Sequence, residues 1–208
     1  MRPRAVILLD GWKRSARGLS HRWRGAVIAF LAFLAVPSAV LGVCVGLRFS
    51  ENVHVVTPGL VYRSAQLLPE ELESVIAEYG IRSIISLAPP EPEQAWYQGE
   101  ISVSSAHGIT RYEIPLSRGV RPTTDQLQHV LSALRTASKP VLLHSQSGAD
   151  RAGLAAAIYQ YAIASRPASE AGRQLSVRYG HFPSILPETG AMDTSFDEFV
   201  AANRPSGS

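Results

Sequence analysis

The sequence has a single cysteine, Cys44, in 208 residues. One thiol excludes an intrachain disulfide and any zinc cage built from cysteines. His54, His107 and His129 show no ligand spacing, so neither a metal nor another cofactor is expected. Charge is also sparse, at 18% of residues, and 46% are apolar, which excludes a disordered chain and leaves enough for one packed core. The net charge of +3 does not indicate a nucleic-acid partner. Seven basic groups (Arg2, Arg4, Lys13, Arg14, Arg17, Arg22, Arg24) face only Asp10 in residues 1–24. Residues 25–208 keep 13 of the 20 basic and 16 of the 17 acidic groups, a net of −3. The basicity belongs to a tail rather than to a domain.

The longest apolar run is Gly25–Leu47, 23 residues without a charge between Arg24 and Arg48. About 20 such residues cross a bilayer as a helix, and Pro37 and the glycines are tolerated there. A cleaved signal peptide is the competing reading. The length of the run and the poor cleavage site at Pro37-Ser38-Ala39 favour an uncleaved anchor. The basic tail keeps the N-terminus cytoplasmic and places the rest of the chain outside the cytoplasm. The expected organisation is a basic tail (1–24), a transmembrane helix (25–47), a folded domain (48–203) and a disordered tail (204–208).

Within the domain, Val53–Val56 and Leu60–Arg63 read as two short strands around Thr57-Pro58-Gly59. Pro69–Tyr79 has helical spacing, with acids in its first turn and Gly80 as its stop. Ile81–Leu87 reads as a strand, Glu93–His107 as a helix and Ile109–Leu116 as a strand. Thr123 or Thr124 caps a helix carrying Leu127, Val130, Leu131 and Leu134. Pro140–His144 is wholly apolar up to its histidine, the pattern of a central strand covered on both faces. Helices are expected over Arg151–Ala164, Ala168–Tyr179 and Asp193–Asn203. Strands alternating with helices predict an α/β fold with a mostly parallel central sheet flanked by helices.

The chemistry concentrates between that central strand and the next helix, in His144-Ser145-Gln146-Ser147-Gly148-Ala149-Asp150-Arg151-Ala152-Gly153. Ligands of open α/β sheets bind at this carboxyl edge. Gly148 lets successive N–H groups curl inward as an anion nest, and the following helix adds its positive end. Arg151 offers a planar fork suited to two phosphate oxygens. Residues 146–151 are therefore the expected phosphate-binding loop.

This stretch resembles the signature of the cysteine-dependent tyrosine and dual-specificity phosphatases: His-Cys, two residues, Gly, two residues, Arg, Ser/Thr, Gly. The Gly148-x-Asp150-Arg151 form is similar to bacterial and phosphoinositide-type members. Leu60–Gln66 (LVYRSAQ) and Gly80–Leu87 (GIRSIISL) are similar to a membrane-anchored bacterial branch, and the likeness runs over roughly residues 55–200. The resemblance implies a bacterial inner-membrane protein whose partners are a phosphorylated protein, an inositol phosphate or a lipid head group.

Three departures affect the implied chemistry. Ser145 stands at the position of the nucleophilic cysteine, and an alcohol is far harder to ionise than a thiol. Ala152 replaces the hydroxyl that in the family assists breakdown of the phosphoenzyme. Leu116–Arg121, the loop expected to carry a general acid, holds no carboxylate. Losing both the cysteine and the second hydroxyl favours a native serine over a laboratory substrate trap. The expectation is a phosphomonoester-binding domain with impaired catalysis, and the alternative is an active phosphatase. A serine-hydrolase elbow fails because Leu143 and Ser147, not glycines, flank Ser145.

The resemblance gives His144 a loop-ordering role. Asp150 is a possible acid, and Asp125 is expected to serve the helix dipole. Arg63, Arg118 and Arg121 are candidate substrate contacts, and His181 is a candidate helix cap.

Overall fold

Five short strands form one sheet in the order β1-β2-β5-β3-β4: β1 (His54–Thr57), β2 (Val61–Ser64), β3 (Ser83–Ser86), β4 (Thr110–Glu113) and β5 (Val141–His144). β2, β5, β3 and β4 run parallel, and β1 returns antiparallel along the edge beside β2. The helices are α1 (Pro69–Tyr79), α2 (Ala95–Ala106), α3 (Thr124–Thr136), α4 (Asp150–Ala162), α5 (Ala168–Ala171) and α6 (Gly190–Ala202). The computed structural model describes residues 51–204 and scattered helical positions between Ala26 and Gly42. The span expected over Gly25–Leu47 falls largely outside the described residues, as do the basic tail and residues 205–208. No helix among the described residues is long and apolar enough to cross a membrane.

The alternation of side chains along the strands builds two apolar layers. Val61, Ile85 and Leu143 point to the side of α3, α4 and α6, whereas Tyr62, Ile84 and Leu142 point to α1 and α2. β5 is buried throughout. Each fully buried Leu or Ile contributes on the order of 1.5–3 kcal/mol through removal of apolar surface from water. α4 is apolar nearly all round because it lies between the sheet and α6, and Ala155, Ala156 and Ala157 let it pack closely.

Local signals fix the helix ends. Gly80 takes φ 64°, closes α1 and donates its N–H to the Ile76 carbonyl. Thr123 and Gln126 form a reciprocal capping box at the start of α3. The helix expected over Ala168–Tyr179 is instead broken into α5 and two 3-10 turns, Gly172–Gln174 and Val177–Tyr179. The Gln174 carbonyl that would continue it accepts from the Arg63 guanidinium at 2.7 Å. The last helix starts at Gly190, three residues before the expected Asp193.

Candidate functional site

The 145–149 loop leaves the carboxyl end of β5 and runs into the N-terminus of α4. Gly148 has φ +69°, and a Cβ there would lie 2.6 Å from backbone atoms of Ser64 and Ala65. Only glycine fits, because the end of β2 presses directly on the loop. The loop's carbonyls are pinned from outside. Asn52 Nδ2 donates to the Ser147 carbonyl at 2.8 Å, and Arg63 Nη2 donates to the Gly148 and Ala149 carbonyls at 2.6 and 2.8 Å.

With the carbonyls held this way, the backbone N–H groups of Gln146, Ser147 and Ala149 donate to no acceptor among the described residues. The N-terminus of α4 has no side-chain cap either. Such a run of unpaired donors at a helix start is an anion cradle.

Arg63 is the structure's main correction to the sequence reading. A contact with substrate was expected, but the side chain is fully buried behind the loop. Pairing of Arg63 with Leu143 places it on the α4 face of the sheet, where its guanidinium reaches the loop's carbonyls. Its other nitrogen holds the Gln174 carbonyl and side chain, and its guanidinium lies 4.4 Å from the centre of the Tyr179 ring. Burial lowers its pKa to about 10, so it remains a cation at neutral pH. Gly153 makes room for it, since a Cβ there would come within 3.0 Å of the Gln174 carbonyl and the guanidinium.

Arg151 is buried at the start of α4 and donates from Nη1 to the Leu116 carbonyl at 3.2 Å. Burial lowers its pKa, the field of Arg118 adds to this, and Asp150 and Glu91 oppose it. Arg118 is exposed, and its field reaches Arg151. Arg121 instead turns to α6, where it pairs with Glu198 at 2.6 Å in an exposed contact of little energetic weight. Asp125 is exposed in the first turn of α3, where it faces the helix dipole as expected.

Ser145 is 1% exposed, and its hydroxyl has no side-chain partner among the described residues. His144 points to the opposite face of the sheet, with Nε2 2.9 Å from the buried Glu100 of α2. Glu100 also pairs with Arg111 of β4, at 2.9 and 2.8 Å. Burial would raise the Glu100 pKa, but His144 and Arg111 outweigh it and hold the carboxyl below its usual range. Asp150 does not face Ser145 as a free acid. Its carboxylate is 2.7 Å from His181 Nδ1, and His181 Nε2 is 2.8 Å from Asp193. His181 is therefore a bridge between α4 and α6 rather than a helix cap.

Asn52 and Glu100 were missed in the sequence, and His181 and Asp193 were read only as a helix cap and a helix start, not as partners. A wholly buried strand containing Arg63 is a signal that an arginine has buried acceptors. Nothing in the sequence marks the other four as partners.

A family profile described as "DSP-PTPase phosphatase fused to NAD+ Kinase" matches residues 50–189. The chain belongs to this DSP-PTPase phosphatase family. No curated protein matches it. Among solved structures, P. aeruginosa TpbA superposes with a TM-score of 0.56 at 19% identity, over 73% of this chain and 89% of that one. A cysteine-to-serine form of P. aeruginosa TpbA in complex with pTyr gives 0.55 at 20% identity, over 74% and 91%. The core catalytic domain of the S. cerevisiae PP-IP phosphatase SIW14 gives 0.54 at 22% identity, over 74% and 93%. At these identities the structures establish the shared fold alone.

Proposed function

We propose that the domain binds phosphomonoesters in the 145–151 loop and hydrolyses them slowly at best. The observation that carries this reading is the loop itself: outward-held carbonyls, unpaired N–H groups and the Arg151 fork at one helix start. The impairment rests on Ser145. In-line attack needs an anionic nucleophile, and a positive loop that ionises a thiol does not ionise an alcohol at neutral pH. Neither candidate base is beside it, because His144 faces Glu100 and Asp150 faces His181. The complex of the TpbA serine form with pTyr supports binding without the thiol.

An active phosphatase is the second reading, favoured by the family to which the chain belongs. The proposed ligands are a phosphorylated protein, an inositol phosphate or a lipid head group, and the exposed Arg118 near Arg151 favours those with more than one phosphate. Calorimetric titration of phosphotyrosine and inositol hexakisphosphate into the full chain tests the reading. Arg151→Lys keeps the charge but loses the fork, so affinity should fall about tenfold or more. Equal affinity in the variant contradicts the assignment.

We also propose a single-pass inner-membrane anchor over Gly25–Leu47, with the N-terminus cytoplasmic and the domain outside. Ile28, Phe30, Leu31 and Phe33 have helical backbone and are each more than half exposed, as lipid-facing side chains are. Protease added to intact spheroplasts should digest the domain, and protection would reverse the orientation.

A further inference from the structure

His181 is 1% exposed, yet both of its ring nitrogens lie against carboxylate oxygens: Asp150 Oδ1 at 2.7 Å and Asp193 Oδ2 at 2.8 Å. A neutral imidazole has one donor and one acceptor, so two carboxylate partners require the doubly protonated ring. Asp150 belongs to the loop and adjoins Arg151. Left alone, its carboxylate would repel the anion that the loop's N–H groups attract.

We infer that His181 is a positioning residue of the loop: as a cation between Asp150 and Asp193 it offsets the carboxylate that the loop carries and lets the loop accept a dianion. The inference rests on the reading of residues 145–151 as the phosphate site. It assigns a role to the 31-residue separation between Asp150 and His181, since α5 and the 3-10 turns bring the histidine back over the start of α4. Asp193, 41% exposed on α6, holds the imidazolium from its outer side.

Burial alone would lower the His181 pKa, but the hydrogen bonds and charges of Asp150 and Asp193 outweigh it and raise the value above the usual one. The charged groups facing the ring are Asp150 from α4 and Asp193 from α6; no other charge among the described residues contributes. The ring therefore stays a cation to higher pH than a free imidazole does. Anion affinity should fall as pH rises through the folded-state pKa.

The test is calorimetric titration of sulfate, which stays a dianion throughout the range, into the full chain in detergent at a series of pH values. The unaltered chain should bind with constant affinity on the acid side and lose about tenfold as His181 deprotonates, the effect of one nearby charge. His181→Gln keeps a hydrogen-bonding side chain without the charge, so its affinity should be low and flat with pH. Asp193→Asn leaves the loop intact and should move the fall to lower pH, in step with the imidazole titration followed by NMR. A His181→Gln profile that superimposes on that of the unaltered chain, or an Asp193→Asn profile that does not move, overturns the inference. Absence of sulfate binding by the unaltered chain at every pH overturns the anion-site reading of the loop, and this inference with it.

Discussion

Replacing Arg63 with Met should damage the loop without touching it. The methionine retains much of the apolar stem and removes four hydrogen bonds, two to the Gly148 and Ala149 carbonyls and two to Gln174. Bonds from a charged donor are worth about 1.5–3 kcal/mol each, and removing the donor leaves buried carbonyls unpaired at about 1–3 kcal/mol each. Against this loss stands the desolvation of the guanidinium, visible in the lowering of its pKa to about 10. Removing one partner of a buried ionic network costs about 3–5 kcal/mol net, and that is the expected loss of stability. For a domain of this size it corresponds to about 10 °C in Tm. Arg63→Lys keeps the charge but cannot hold both anchor points, so it should recover about half of the loss. Urea denaturation followed by circular dichroism gives the stability, and sulfate titration gives the state of the loop. A Met variant within about 1 kcal/mol of the parent and with equal sulfate affinity would refute the clamp.

Gly148→Ala should lose anion binding and cost about 2 kcal/mol or more, because the added Cβ meets the Ser64–Ala65 backbone at a positive φ; unchanged denaturation and binding would show that the β2 contact yields. Glu100→Gln should cost about 3 kcal/mol by leaving Arg111 and His144 without their carboxylate. Because the folded Glu100 pKa is depressed, its contribution is present above the unfolded carboxylate pKa and is lost as pH falls through the folded value. The stability difference between parent and Glu100→Gln should therefore narrow in acid, as measured by denaturation at several pH values.

The sheet was legible because β3 and β5 are short with apolar centres and because the apolar residues of α1 and α3 recur at helical spacing. The loop was legible because a buried strand, a glycine and an arginine follow one another in order. What the sequence hid was the direction of side chains set by partners distant in the chain. Whether Arg63 faces a ligand or α4 depends on the register of β2 against β5, which no local pattern specifies. Glu100 sits in a helix of weak amphipathicity and resembles a surface residue until Arg111 and His144 are placed beside it. His181 follows Tyr179-Gly180 like a helix terminus, and Gly180 does take φ 83° there, but the ring finds its carboxylates on α4 and α6. The break at Gln174 likewise follows from the tertiary demand of Arg63 on a backbone carbonyl.

The central claim is that the binding loop is intact and that catalysis is impaired first by the missing nucleophile. Pre-steady-state hydrolysis of an aryl phosphate by the unaltered chain, Ser145→Cys, and Ser145→Cys with Ala152→Thr tests it most directly. On the proposed reading the loop and Arg151 would stabilise charge on the equatorial oxygens in all three forms, so restoring the thiol should restore phosphoenzyme formation. The account predicts no turnover above background for the unaltered chain and a product burst followed by slow turnover for Ser145→Cys. Adding Ala152→Thr should speed the slow phase more than the burst. Substantial turnover by the unaltered chain, abolished by Ser145→Ala, would contradict the account and show that the serine itself is the nucleophile.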